Sequence, residues 1–256
     1  MAAKKNAPFF SKTTFFLILI TLLIGVIAGN YIELQKTFMQ YSIPTDERQY
    51  QGESISLPEP DTTGTLSVEA AMQNRRSRRA YTDAPLTIKQ LSQLLWAMQG
   101  QTADWGGRTV PSAKNAYPLN ITVVAKNVTD VDPAVYHYLP DTHSIRKIMN
   151  SIPENFDEAA VQGQNKSAPV AFIISGDYAK MSKAFDGESH DENVVLEAGH
   201  VGQNAYLQVE SLGLGTVVSG GFNKALMQEV LQIPRQEDIF YLIPVGVPAV
   251  EPENEK

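Results

Sequence analysis

The chain contains no cysteine. Disulfides, thiolate nucleophiles, iron–sulfur clusters and a lipidated cysteine are therefore excluded, and the redox state of its compartment leaves no mark in the sequence. Histidine is nearly as scarce, at four residues in 256. His190, Glu197 and His200 lie close in sequence, but their spacing makes no confident metal-ligand set, so His200 is expected to be a buried, hydrogen-bonded helix residue. His137 and His143 flank a strand and a turn and are read as surface residues. Positive charge is also short: 21 Lys and Arg against 28 Asp and Glu give a net charge of −7. A general nucleic-acid binder needs excess cations to neutralise phosphates, so that class is excluded, whereas a local basic pocket for one phosphate is not. No strand-Gly-x-Gly-x-x-Gly-helix unit is present, which removes the dinucleotide fingerprint. There is no internal repeat.

What is present is ordinary for a globular protein, with 43% hydrophobic and 19% charged residues. The length suits one domain of about 200 residues plus an extension. Residues 1–32 are read as that extension. Lys4, Lys5 and Lys12 precede an uncharged run over 13–32, long enough for a membrane helix, which takes about 20 apolar residues. Lysines only before the run predict a cytoplasmic N-terminus, with the domain outside the cytoplasm. The alternatives are a cleaved signal peptide, with Val26 and Ala28 before the cut, followed by export, or a buried helix. Residues 33–65 are rich in Gln, Ser, Pro and acidic groups and read as a linker or an extended arm. The domain is expected over 66–250, with a short tail at 251–256.

Within the domain, Ser67 caps a helix to about Arg76 with Val68, Ala71 and Met72 on one face. Thr87-Ile88-Lys89-Gln90 is a capping box opening a second helix that ends at Gly100. Strands are expected at Leu119–Lys126, Ala134–Leu139, Ala168–Ser175, from Thr216 to Val218 and at Phe240–Val247, with a long helix over Asn193–Leu212 ended by Gly213 and Gly215. Strands and helices without strict alternation indicate an α+β fold. Tyr136, Tyr138 and Trp96 read as core, and Trp105 as a candidate cleft-lining residue.

Three clusters carry chemistry. Arg75-Arg76-Ser77-Arg78-Arg79 offers planar, permanently charged donors around a hydroxyl, suited to a phosphate. The loop Arg108–Leu119, stiffened by Pro111 and Pro118, offers hydroxyl and amide groups. Gly213-Leu214-Gly215-Thr216-Val217-Val218-Ser219-Gly220-Gly221-Phe222 lets the backbone approach a flat ligand. With Leu-Glu-Ala-Gly-His-Val-Gly-Gln-Asn (196–204) and Tyr-Leu-Ile-Pro-Val-Gly (241–246), their order resembles the nitroreductase superfamily, and within it the SagB-type dehydrogenase branch.

The resemblance implies a homodimer with FMN at the subunit interface. It implies that Arg75, Arg76, Ser77 and Arg79 hold the flavin's phosphate and ribityl chain. Pro111, Ser112, Ala113 and Asn115 would reach the flavin from the partner subunit, and the backbone of Val218, Ser219, Gly220 and Gly221 would lie along its ring. Chemistry would be flavin-borne: hydride from a reduced donor, NAD(P)H, to a nitroaromatic or quinone. The alternative reading is a membrane-tethered flavin-binding or flavin-free sensor or scaffold. Three departures stand out. Lys114 occupies a position where many relatives have Gly. Pro248-Ala249-Val250-Glu251 follows the final strand, where many carry a basic residue. The stretch Lys183–Gly187 lacks the Lys-Tyr pair of azoline-oxidising members, which weighs against oxidation of peptide thiazolines or oxazolines.

Overall fold

The structure, a computed structural model, describes residues 25–30 and 47–249. The chain divides into a unit at Met1–Ile43 and a unit at Pro44–Lys256. Of the first, only the helical turn at 25–30 is described, about 9 Å of axis at 1.5 Å per residue. Among the described residues no helix is long and apolar enough to cross a membrane, which overturns the expected N-terminal anchor and the localisation drawn from it. The remainder of the apolar run, the linker residues 33–46 and the tail 251–256 lie outside the described residues.

The second unit is built on seven strands: β1 (Gln51–Ser56), β2 (Leu119–Ala125), β3 (Ala134–Leu139), β4 (Ser144–Met149), β5 (Val170–Asp177), β6 (Gly215–Thr216) and β7 (Glu237–Gly246). Their order across the sheet is β1-β4-β3-β2-β5-β7-β6. The strand ladders are antiparallel, and parallel pairing is confined to single bridges such as Ser77 with Thr216. Among the described residues of this unit, five α-helices complete the α+β fold: α1 (Val68–Asn74), α2 (Ile88–Gln99), α3 (Tyr178–Ala184), α4 (Asp191–Ser211) and α5 (Lys224–Val230).

The continuous apolar run of β5 follows from its place inside the sheet. Successive side chains of a strand point to opposite faces. Val170, Phe172 and Ile174 join one core with Leu91, Leu94 and Leu95 of α2 and Val194, Val201 and Ala205 of α4. Ala171 and Ile173 join a second core with Phe156, Met227 and Val230. Both faces are thus covered and no polar alternation is required. The α2 boundaries follow from the local signals: Thr87 Oγ1 accepts from Gln90 N, the Gln90 side chain accepts from Thr87 N, and Gly100 is the C-cap. Gly213, at φ +65°, ends α4 with the left-handed turn that glycine adopts without strain.

Part of the stretch read as a linker is structural. β1 pairs with β4, and Leu57 behind it is buried. Just before β1, the Arg48 guanidinium grips the Glu237 carboxylate through both terminal nitrogens. Glu237 Oε2 also accepts from the buried Ser175 hydroxyl at 2.6 Å.

The same arm covers His137, correcting its reading as a surface residue: its ring is 8% exposed, and Tyr50 Oη lies 2.7 Å from Nδ1. Burial, reinforced by the charges of Arg48 and Lys180, pushes His137 down from 6.5 to about 3. The unfolded chain therefore binds a proton near pH 6.5 that the folded chain refuses until about pH 3. The associated stability is complete above the unfolded value and falls as pH drops through this window. Denaturation midpoints between about pH 7 and about pH 4 are expected to show this slope, and His137→Gln to flatten it. His143 is likewise drawn inward, half-buried against Ser92, Tyr138 and the Pro58 carbonyl.

Candidate functional site

The arginine cluster and the glycine-rich segment, 140 residues apart in sequence, are adjacent in space. The chain leaving α1 bonds along β6: Arg78 N–H donates to the Thr216 carbonyl at 2.8 Å. Tyr206 of α4 closes the junction. Its phenol lies 2.8 Å from Ser77 Oγ and accepts the Val218 N–H at 3.0 Å, and the Arg75 guanidinium stacks 4.8 Å above its ring. One turn earlier on α4, Gly202 allows this approach, since a Cβ there would meet Val218 Cγ1 at 3.0 Å. Either hydroxyl can donate across the Ser77–Tyr206 pair.

The four arginines are not equivalent. Arg78 faces Glu210 at 3.8 Å, whereas among the described residues no carboxylate pairs with Arg75, Arg76 or Arg79. Arg76 bonds to the Gln73 and Arg75 carbonyls, and Arg79 Nε donates to the Gln162 amide oxygen at 3.1 Å. Arg75 shares Tyr206 with Ser77, and three cations without carboxylate partners within five residues of chain form a basis for binding a phosphate-sized anion. Gly220 and Gly221 are exposed, and a Cβ at either would meet nothing closer than 3.8 Å. Their backbone is therefore open to a flat group. Ser219 Oγ is held by the buried Gln164 amide.

The third cluster is anchored elsewhere on α4. Ser112 Oγ donates to Glu197 at 2.6 Å, nine positions before Tyr206, or about 13 Å of helix axis. Within one copy, then, Pro111, Ser112, Ala113 and Asn115 are organised around Glu197, while the arginine and glycine segments meet at Tyr206. The loop is strained: Lys114, Asn115 and Tyr117 have φ of 54°, 54° and 46°, a region that L side chains rarely occupy. Lys114 thus holds a left-handed conformation natural to glycine, with its ammonium over the Phe185 ring at 5.6 Å. Burial raises the Glu197 carboxyl, opposed by hydrogen bonds from Ser112 and Gln99 and by the charges of Arg108 and Lys180.

A model of the Nitroreductase family matches residues 72–247, a span that includes all three clusters. The chain belongs to the nitroreductase family. A protein of Methanocaldococcus jannaschii described as a nitroreductase is 37% identical over 199 residues, covering 76% of this chain and 98% of its own. Among solved structures, one from Ralstonia eutropha described as a nitroreductase is 27% identical with a TM-score of 0.65, covering 82% of this chain and 94% of that one. A Desulfovibrio desulfuricans structure described as a nitroreductase in complex with FMN shares the fold at 20% identity and TM-score 0.53, covering 75% and 91%.

In this family member the residue types mark the arginines and the glycine run but not Tyr206, Gln162 or Gln164. The available signal for Tyr206 was its spacing of four from Gly202, which puts both on one helix face. His200 is exposed, correcting its reading as a buried helix residue: the α4 face toward the sheet carries Val194, Glu197, Ala198 and Val201. Trp105 stands 71% exposed. Tyr206→Phe removes the acceptor for Val218 N–H and the partner of Ser77 while keeping the ring under Arg75. Two neutral hydrogen bonds at about 0.5–1.5 kcal/mol each correspond to a loss of about 1–3 kcal/mol of stability, readable as a lower midpoint of urea unfolding.

Proposed function

We propose that this chain is an FMN-dependent oxidoreductase that carries hydride from a reduced nicotinamide to a small acceptor such as a nitroaromatic or a quinone. The observation that carries the reading is the junction at Tyr206, which joins Ser77 to the Val218 N–H beneath the Arg75 guanidinium, next in sequence to Arg76 and Arg79, which have no carboxylate partner among the described residues, and to the open backbone of Gly220 and Gly221. Arg75, Arg76, Ser77 and Arg79 hold the phosphate and ribityl end, and Val218 to Gly221 receive the ring. When bound, FMN supplies the two-electron chemistry, so no acid, base or nucleophile is demanded of the protein. Support comes from family membership and from the fold shared with an FMN complex.

The working unit in this reading is a homodimer in which Pro111, Ser112, Ala113 and Asn115 meet the flavin of the partner subunit. Val68 and Met72 on α1 and Val195 and Leu196 on α4 are each more than half exposed. An apolar surface of this kind favours a protein partner. We also place the chain nearest the SagB-type branch on its motifs, without the Lys-Tyr pair that would suggest azoline oxidation. The test is anaerobic titration of the FMN-loaded full chain with NADH and NADPH, followed by addition of menadione or nitrofurazone. Bleaching of the flavin band and its recovery on adding the acceptor are expected. A flavin that neither nicotinamide bleaches would instead mark a binding protein without turnover.

A further inference from the structure

The loop that carries Pro111–Asn115 is not merely tethered to Glu197; it is held by a closed circuit of side chains that ends on that carboxylate. Along one arm, the Tyr117 N–H donates to Ser112 Oγ at 2.8 Å, and Ser112 Oγ donates to Glu197 Oε2 at 2.6 Å. Along the other, Arg108 Nη1 donates to the Gln99 amide oxygen at 3.0 Å, and Gln99 Nε2 donates to Glu197 Oε1 at 3.1 Å. The arms join where the Arg108 N–H donates to the Tyr117 hydroxyl at 3.1 Å, with the guanidinium 4.5 Å above that ring. Lys180 Nζ adds a bond to the Tyr117 carbonyl at 2.9 Å.

The direction of every bond is determined. Arg108 has only donors, so Gln99 must present its oxygen to it and its NH₂ to Glu197. Ser112 Oγ accepts the Tyr117 N–H, so its own proton goes to Glu197. Both arms therefore deliver donors to one acceptor, and only a carboxylate accepts on both oxygens. Glu197 is 2% exposed and Gln99 1%. A buried carboxylate is costly to keep where an apolar residue would pack without that cost. Through Ser112 it is linked to the N–H of Tyr117, one of three loop residues with left-handed backbone, a conformation that persists only where its surroundings enforce it.

We propose that Glu197 is a positioning residue: its carboxylate holds the 108–117 loop in the strained shape in which it meets the flavin and the acceptor. This rests on the FMN reading above. Glu197→Gln is nearly isosteric but places an NH₂ against one of two donors. Ser112→Ala cuts one arm, and Ser112→Thr retains the hydroxyl.

The test has two arms on the full chain. In flavin-free protein, amide hydrogen exchange at Asn115, Ala116 and Tyr117 is expected to accelerate about ten-fold or more in Glu197→Gln and Ser112→Ala. It should stay near wild type in Ser112→Thr and be unchanged in the β5 amides. In FMN-loaded protein, kcat/KM for menadione is expected to fall at least about ten-fold in the first two variants, with FMN affinity altered less than about three-fold in Glu197→Gln, whose side chain lies behind the flavin-facing segment and is not part of it. Unchanged exchange at 115–117 in both variants would overturn the proposal, and so would faster exchange with unaltered kcat/KM. Failure of the wild type to take up FMN removes the flavin reading instead, and the exchange arm then still decides whether Glu197 holds the loop.

Discussion

Replacing Arg75 and Arg79 together by alanine is expected to abolish retention of FMN through purification and to raise its dissociation constant at least about a hundred-fold. Hydrogen bonds to charged groups contribute about 1.5–3 kcal/mol each, and 1.4 kcal/mol is a factor of ten. Arg79 is exposed and Arg75 half-buried, so screening by solvent places the expectation at the lower end of that range. Arg78→Ala supplies the contrast. Its guanidinium faces Glu210, and its contribution to the site is the backbone bond to Thr216, which alanine retains. A far smaller change in affinity is expected there. Equal losses in the two experiments would show that the phosphate lies elsewhere.

The largest effect on stability is expected at the arm before β1. Arg48→Ala leaves the Glu237 carboxylate, whose side chain is 4% exposed, with the Ser175 hydroxyl as its one remaining side-chain partner among the described residues. Breaking a buried ion pair by removing one partner costs about 3–5 kcal/mol. The midpoint of urea unfolding should fall accordingly, with no change in the slope of the transition. Because the penalty is that of an unpaired buried charge, Arg48→Met combined with Glu237→Leu is expected to recover most of it. Since Arg48 makes no contact with the arginine or glycine segments, FMN affinity in Arg48→Ala should stay within about three-fold, once the fraction unfolded is taken into account. A single Arg48→Ala variant as stable as wild type would mean that the arm contributes nothing to the fold.

Local signals made much of this molecule readable. Thr87 with Gln90 opens α2, and Gly100 closes it, because capping is decided within a few residues. The bounds of β3 and the central place of β5 followed from apolar pattern alone. The chemistry of Arg75–Arg79 was legible as residue types, but their division was not. Arg78 is distinguished only by Glu210, which is 132 positions away and reaches it through packing of α4 beside β6. Tyr206 was overlooked for the same reason. His200 shows the limit of periodicity: α4 has apolar residues on most of its circumference, Val195 and Leu196 included. Such a pattern does not say which stripe faces the sheet. His137 was misplaced because its cover comes from Arg48 and Tyr50, in a stretch whose composition reads as linker. α3 and α5, seven residues each, are too short for a helical period to declare itself, and β4, no shorter than β3, has its alternation broken by the adjacent Arg146 and Lys147.

The central claim is that the Ser77 and Gly220 region binds FMN. Its most direct test is titration of the purified full chain with FMN, followed by visible absorbance after removal of free flavin. A retained flavin band at one FMN per chain, lost in the Arg75→Ala/Arg79→Ala variant, is the predicted result. A colourless wild-type protein that takes up no FMN would contradict it.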